Sequence, residues 1–221
     1  GSSADVWTFS FFFSHHISTI EGGMIVTNSD EIAELCRSLR VFGWIRDMKD
    51  KAAIAERFPD IDPRFLFLYP GYNFRPTDLQ GAMGIHQVPR LEGYIARRRE
   101  NAEYWNNELE RYGEWIALQH ERYGTRHVWF AYPVRVRPEA PFTRAELQEY
   151  LESRGIESRQ IEAGNMAIQP AMKHIKHRVE AIPNAELIHK TAFFIGNHHG
   201  IGQPEREYVA NAFHEFMRRE A

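Results

Sequence analysis

Residues 10–23 read SFFFSHHISTIEGG, and the interpretation of the whole chain starts from this stretch. Residues 5–13 are rich in aromatic and β-branched types, which predicts a buried strand. A second strand is predicted over residues 22–27, directly after a Gly-Gly turn. Between the two strands lie His15 and His16, whose imidazoles can exchange protons near neutral pH. The segment therefore predicts a turn between two strands that carries a group able to move protons.

The stretch resembles the cofactor loop of the DegT-type sugar aminotransferase family. Members of that family usually have Ser-Phe, three further residues, a Lys, and a little later an acidic residue followed by two glycines. The family's Lys forms a covalent link to pyridoxal phosphate (PLP), whereas this chain has His15 at that position. An imidazole cannot form that link, but it can act as an acid or a base. In this respect the chain is similar to the GDP-4-keto-6-deoxy-D-mannose 3-dehydratase-like branch of the family.

Three further segments carry the same resemblance, in the order in which the family has them. They are GYNFRPTDLQGA at residues 71–82, RQIEAGN at residues 159–165 and FFIGNH at residues 193–198. Family members are commonly near twice the length of this chain. We therefore expect the chain to be the C-terminal portion of such a protein, with an incomplete cofactor site.

The resemblance implies an α/β fold, the C-terminal part of a fold-type-I PLP-dependent transferase. Residues 1–88 are expected to be the C-terminal part of its PLP-binding large domain. Residues 89–112 are expected to form a connecting helix, and residues 113–221 a small α/β domain.

The residue pattern gives element boundaries within that scheme. A helix is predicted over residues 31–40, after capping residues that include Ser29. Helical pattern runs from Pro76 to about Tyr112, with a bend expected at Pro89. Further strands and helices are predicted from there to the C-terminus. The strands are residues 128–136, 156–161 and 192–195, and the helices are residues 143–153, 185–191 and 204–218.

The resemblance also implies site residues. His15 is the expected catalytic residue, which removes a proton from the cofactor and protonates the departing sugar hydroxyl. Ser10 is expected to donate to the cofactor phosphate, and Asn73 to reach the cofactor phosphate of a neighbouring subunit. His16 faces the other way along an extended chain and is expected to support the structure. Four candidates remain for the sugar or its diphosphate: Arg46, Arg75, Arg159 and Asn165.

The cofactor expected from the resemblance is pyridoxamine phosphate (PMP), held without a covalent bond and regenerated from PLP with glutamate as amino donor. The expected substrate is a nucleotide-linked 4-keto-6-deoxyhexose, in deoxysugar or lipopolysaccharide biosynthesis. Arg suits bidentate recognition of a diphosphate, and Arg outnumbers Lys here, although a GC-rich genome would give the same bias. A homodimer is expected because Asn73 is assigned to the partner's cofactor.

Composition argues against several other classes. A formal charge of −3 gives no electrostatic support for a nucleic-acid partner. Cys36 is the single cysteine, which excludes a disulfide scaffold or a four-cysteine metal site within the chain. Some dehydratases of CDP-sugars in the resembling family hold an iron–sulfur cluster through cysteines downstream of the active histidine. The corresponding residues here, 43–72, contain no cysteine, which disfavours that type of enzyme. No apolar run approaches the roughly 18 residues of a membrane span, so a cytoplasmic protein is expected. No bound metal is expected, because no third ligand lies near His15 and His16 in the sequence.

Two alternatives stay open at this point. One is a nucleotide-sugar aminotransferase with an atypical base, which needs a Lys elsewhere, and Lys49 and Lys51 are near in sequence. The other is a non-catalytic remnant that binds a partner chain or a nucleotide sugar.

Overall fold

The structure is a computed structural model that describes residues 4–221. Its internal contacts divide the chain into two compact units, the first ending at Arg90 and the second spanning Leu91–Ala221. Each unit is described by itself.

The first unit begins with an antiparallel pair of strands, β1 (Val6–Ser10) and β2 (Gly23–Thr27). The register pairs Val6 with Thr27 and Ser10 with Gly23, so residues 11–22 form the connection between them. Helix α1 (Asp30–Leu39) follows, and its first turn is capped by the Ser29 hydroxyl, which accepts from the backbone N–H of Ile32. The predicted second strand and the capped helix are confirmed.

The predicted buried strand over residues 5–13 is only partly correct. β1 ends at Ser10, because the backbone of Phe11 already bonds within the connection. Four of its five residues are exposed, Phe9 to 50%. Among residues 4–221, β1 pairs with β2 alone, and a two-stranded ribbon has no second layer to bury aromatic side chains.

The rest of the first unit is mostly irregular chain with two helices. These are α2 (Lys51–Glu56) and α3 (Asp78–Gln87). The bend expected at Pro89 is present as a 3-10 turn, Val88–Arg90, after which the chain enters the second unit. Proline interrupts the helix because it lacks a backbone N–H and its ring crowds the preceding turn.

The second unit is a four-stranded antiparallel sheet with helices. Its strands are β3 (Ile116–Leu118), β4 (Ala131–Val136), β5 (Ser158–Gln160) and β6 (Ala192–Gly196), in the order β3-β4-β6-β5. Its helices are α4 (Leu91–Leu109), α5 (Arg144–Ser153), α6 (Pro183–Thr191) and α7 (Gln203–Glu220). The short strand β3 was not predicted, since three residues give too little alternation to detect.

The core of the second unit lies between the sheet, α4, α5 and α7. In β4 every second residue points inward, and Tyr132 is fully buried. It packs against Trp105 of α4 with ring centroids 5.0 Å apart, beside the buried Phe193 and Phe213. Burying side chains of this size is worth about 1.5–3 kcal/mol each, which makes this cluster the main source of stability in the unit.

The resemblance segment at residues 193–198 ends in a buried polar contact. Asn197 has 2% of its surface exposed, and its side-chain amide donates to the Arg98 carbonyl at 3.0 Å. The buried Arg98 guanidinium donates to backbone carbonyls that include that of Phe130, at 2.7 Å. Burial lowers the pKa of Arg98. These bonds join α4 to the sheet and leave few backbone acceptors unpaired where they meet.

Within the described residues, no helix has the length and apolar character needed to cross a bilayer. In the same part of the chain, no three His, Cys, Asp or Glu side chains are grouped so that they could hold a metal ion.

Candidate active site

The connection between β1 and β2 is closed by backbone hydrogen bonds. The N–H of Phe11 donates to the Gly22 carbonyl at 2.9 Å, and the N–H of Thr19 donates to the Phe11 carbonyl at 2.9 Å. A Cβ at residue 22 would lie 2.5 Å from the Thr19 hydroxyl oxygen, so only glycine fits where the loop closes. The Gly-Gly turn predicted before the second strand agrees with that geometry.

His15 and Ser10 each form a hydrogen bond with the backbone of Phe12, which lies between them in the sequence. The backbone N–H of His15 donates to the Phe12 carbonyl at 3.0 Å, and the Ser10 hydroxyl accepts from the Phe12 N–H at 3.3 Å. The half-buried imidazole lies edge-on to the Phe12 ring, with centroids 5.9 Å apart. Ser10 itself is exposed at the end of β1, where its hydroxyl can donate to a ligand.

Two residues that the sequence analysis missed anchor this loop. Thr19 is buried, and its hydroxyl donates to the Glu21 carbonyl at 2.8 Å. Gln80 of α3 donates to the same carbonyl at 2.7 Å through Nε2, while its Oε1 accepts from the Thr77 N–H at 2.8 Å. A Gln three residues after a Thr that precedes a helix is a capping signal, and it was visible in the sequence. The bond from Gln80 to the loop was not visible in the sequence.

Asn73 and Arg75 are brought together by the structure. Arg75 donates through Nε to the Asn73 Oδ1 at 3.0 Å, and its guanidinium lies 5.1 Å from the centre of the Phe42 ring. The Asn73 side-chain amide keeps its N–H groups for another acceptor, because the bond to Arg75 uses its oxygen. Both residues are exposed, so an amide donor and a guanidinium stand side by side on the surface of the first unit.

The segment that carries Asn73 is held against the residues that follow α1. The N–H of Phe42 donates to the Tyr72 carbonyl at 2.8 Å, beside the bridge that pairs Val41 with Asn73. The approach requires two glycines: a Cβ on Gly71 would overlap the backbone nitrogen of Gly43, and Gly43 itself adopts a φ of +81°. Gly43 was not singled out in the sequence.

Arg46 and the second-unit candidates have other contacts. The Arg46 guanidinium lies 4.4 Å from the centre of the Trp44 ring, with half of its side chain exposed. Arg159, on β5, forms two hydrogen bonds to the Glu157 carboxylate at 2.8 and 2.6 Å and is exposed. Asn165 is 3% exposed and caps a 3-10 turn, since its Oδ1 accepts from the Ala167 N–H at 2.9 Å.

Residues 1–214 match the model of the DegT/DnrJ/EryC1/StrS aminotransferase family. The chain belongs to this family. A relative within it is GDP-4-keto-6-deoxy-D-mannose 3-dehydratase of Escherichia coli O55:H7, 36% identical over 195 residues, which cover 86% of this chain and 50% of the relative. The resemblance given by the four sequence segments is thereby confirmed.

Solved structures of the DegT/DnrJ/EryC1/StrS family agree on the fold. A histidine-to-asparagine mutant of GDP-4-keto-6-deoxymannose-3-dehydratase with bound GDP-perosamine has a TM-score of 0.87 and 33% identity, covering 96% of this chain and 55% of that one. The same enzyme with a trapped PLP-glutamate geminal diamine has a TM-score of 0.83 and 31% identity, over 96% and 55% of the two chains. The predicted fold class is confirmed, and the chain spans about half the length of the relatives it matches.

Proposed function

We propose that the protein acts as a PMP/PLP-dependent 3-dehydratase of a nucleotide-linked 4-keto-6-deoxyhexose, with His15 as its acid–base group. The observation that carries the proposal is an imidazole, in place of an amine, on the loop between β1 and β2. The relatives named as 3-dehydratases support the same reaction class.

The residues of the first unit fit a phosphate-bearing cofactor held without a covalent bond. Residues 10–23 contain no Lys, so this loop offers no amine for covalent attachment. The Ser10 hydroxyl and the Asn73 amide are neutral donors of the kind that bind phosphate oxygens, and Arg75 adds a positive charge beside Asn73. When bound, the cofactor supplies an amine for the sugar ketone and a ring that accepts electrons.

His15 moves the protons in this scheme. Its imidazole takes a proton at the cofactor carbon attached to the amine, and gives one to the oxygen that leaves the sugar. The bonds from Phe11 to Gly22 and from Thr19 to Phe11 hold the loop closed, so the imidazole is presented from a fixed backbone. Because His15 replaces an amine at this position, this loop would hold the cofactor through non-covalent contacts alone.

The remaining assignments follow from the same proposal. Residues 1–88 are part of the cofactor-binding domain, residues 89–112 are the connecting helix, and residues 113–221 are the small domain. Asn73 serves the partner's cofactor in a homodimer. Arg46, Arg159 and Asn165 serve the sugar or its diphosphate. Glutamate restores the amine, and the relative solved with a PLP-glutamate adduct supports that donor.

The nearby lysines give the aminotransferase alternative little support. The Lys49 ammonium lies 3.4 Å from the Asp30 carboxylate, and the Lys51 ammonium 3.5 Å from the Arg46 carbonyl. Neither lies on the loop that carries His15, and both are exposed.

The test uses the protein as expressed from its native gene, loaded with PMP and given glutamate and GDP-4-keto-6-deoxymannose. We expect mass spectrometry to show loss of the C3 oxygen from the sugar, with 2-oxoglutarate accumulating. His15→Asn should abolish deoxygenation yet retain PMP through dialysis, because the phosphate contacts are assigned elsewhere. His86→Asn, on the exposed side of α3, is the matched control and should retain both properties.

Three results would count against the proposal. A borohydride-trapped covalent adduct in the wild-type protein would place an amine at the cofactor. An amino-sugar product would favour the aminotransferase. Binding of PMP and sugar nucleotide without any turnover would favour the non-catalytic remnant.

A further inference from the structure

In the second unit, a histidine of α6 receives two hydrogen bonds on one ring nitrogen. The Nδ1 of His189 accepts from the Gln160 side-chain amide at 2.7 Å and lies 3.3 Å from the donating backbone N–H of Asn165. A backbone N–H can only donate, so Nδ1 must be the unprotonated nitrogen and the ring proton is on Nε2. The orientation of the Gln160 amide is fixed independently, because the same Nε2 also donates to the His189 carbonyl at 3.1 Å.

The loop after β5 is packed directly on this ring. A Cβ on Gly164 would overlap His189 Nδ1 and lie 2.7 Å from Gln160 Nε2. Gly164 has a φ of +64°, and Glu162 in the same loop has a φ of +42°. A non-glycine residue in that conformation costs roughly 1–2 kcal/mol and persists only where its surroundings hold it.

The far side of the loop is also tied down. Asn165 is buried as the cap of the next turn, and the Gln169 side chain donates to the Ala163 carbonyl at 3.1 Å. His189 is itself held by Arg144 of α5, which donates to the His189 carbonyl at 2.8 Å. His189 is therefore the point at which β5, the loop and α6 are joined.

We propose that His189 is a positioning residue for substrate binding, whose neutral ring holds residues 160–165 in the conformation that receives the sugar nucleotide. This inference rests on the proposed function, because that function assigns Arg159 and Asn165 at the ends of the loop to the substrate. His189 donates nothing to the chemistry: it sets where the loop backbone lies. Its loss should therefore weaken substrate binding while leaving the chemical step at His15 unchanged.

The experiment compares His189→Leu with His189→Asn in the protein expressed from its native gene. Leu removes the acceptor and leaves two donors without a partner, whereas the Asn side-chain oxygen can occupy the place of Nδ1. We expect His189→Leu to raise KM for GDP-4-keto-6-deoxymannose about tenfold, the factor that corresponds to two modest hydrogen bonds, with kcat nearly unchanged. His189→Asn should restore most of the difference. His174→Leu, an exposed histidine of the same unit, is the matched control.

Two measurements do not depend on turnover. Nuclear magnetic resonance of the histidine ring should show Nδ1 unprotonated and Nε2 protonated for His189 at neutral pH. Hydrogen exchange at the Asn165 amide should be about tenfold faster in His189→Leu than in the wild type. Gly164→Ala, which disturbs the same contact from the loop side, should speed the same amide if His189→Leu does not fold.

The outcomes separate the two proposals. A wild-type protein that shows the expected ring tautomer and exchange pattern but no deoxygenation contradicts the proposed function. An active wild type in which His189→Leu leaves KM unchanged overturns the role of His189, as does a ring protonated on Nδ1.

Discussion

The loop that carries His15 is joined to α3 through one backbone oxygen, and this can be tested without any ligand. The Glu21 carbonyl accepts from the Thr19 hydroxyl at 2.8 Å and from Gln80 Nε2 at 2.7 Å. The substitution Gln80→Glu removes the amide donor but keeps an oxygen that can accept from the Thr77 N–H, now as a carboxylate in the first turn of a helix. The cap is preserved or strengthened by about 0.3–1 kcal/mol, whereas the bond to the loop is lost.

The expected magnitudes follow from that separation. A neutral hydrogen bond contributes about 1 kcal/mol net, so the loop should open about fivefold more often in Gln80→Glu. The free energy of global unfolding should change by less than about 1 kcal/mol, because the gain at the cap offsets part of the loss. Thr19→Val removes the other donor to the Glu21 carbonyl and keeps the side-chain shape, so it should have a similar local effect.

Hydrogen exchange followed by mass spectrometry measures both quantities. Peptides covering residues 11–22 should exchange about fivefold faster in either variant, while peptides from α3 keep the wild-type rate. Thr125→Val is the matched control, since it removes a hydroxyl that donates to a carbonyl in an exposed turn of the second unit. Equal acceleration of the loop and α3 would refute the reasoning, because the substitution would then have unfolded the helix instead of releasing the loop.

Three further predictions concern stability, measured by urea unfolding. Gly43→Ala should cost several times the roughly 1–2 kcal/mol of Gly124→Ala, because both residues have positive φ but only the first has a backbone carbonyl where the Cβ would go. Tyr132→Phe should lower the free energy of unfolding by about 1–2 kcal/mol, because it removes the hydrogen bond that the Tyr132 hydroxyl donates to the Asn106 side-chain oxygen. Burial raises the pKa of Tyr132, so its phenol should not ionise while the protein is folded. The hydrogen bond from Arg206 lowers the pKa of Glu100 in the folded protein. This carboxylate therefore stabilises the fold above its unfolded-state pKa, and the stabilisation is lost as the pH falls through its folded-state pKa. Glu100→Gln should lessen the loss of stability in acid.

Local signals in the sequence were enough for much of the fold. The Ser29 cap of α1 and the interruption at Pro89 were predictable because each depends on neighbours a few residues away. The burial of β1 was not, because it depends on what covers the strand and not on its composition. Val6 and Phe9 read as core residues by type, yet each is more than one-third exposed among the described residues.

In the candidate site, too, the sequence reveals some residues and not others. His15 could be proposed from the sequence alone, because it stands where the family motif has its Lys. Thr19, Gln80 and His189 were not, because each acts through a residue far from it or across a turn: Gln80 bonds to a carbonyl 59 positions away, and His189 to a side chain 29 positions away. Periodicity and capping rules report the element on which a residue lies, and they carry no information on such pairings.

The two units use one physical device to fix a loop, which makes a joint prediction possible. In each unit a single acceptor receives two donors: the Glu21 carbonyl from Thr19 and Gln80, and the His189 ring from Gln160 and Asn165. When one donor is removed, the other still occupies the acceptor, so the acceptor keeps a partner. When both are removed, the Glu21 carbonyl loses its side-chain partners, and the loop keeps only its backbone hydrogen bonds from Phe11 to Gly22 and from Thr19 to Phe11. The double variant Thr19→Val with Gln80→Glu should therefore speed exchange in residues 11–22 by more than the product of the single effects. A strictly multiplicative result would show that the two donors act independently and that their shared acceptor does not couple them.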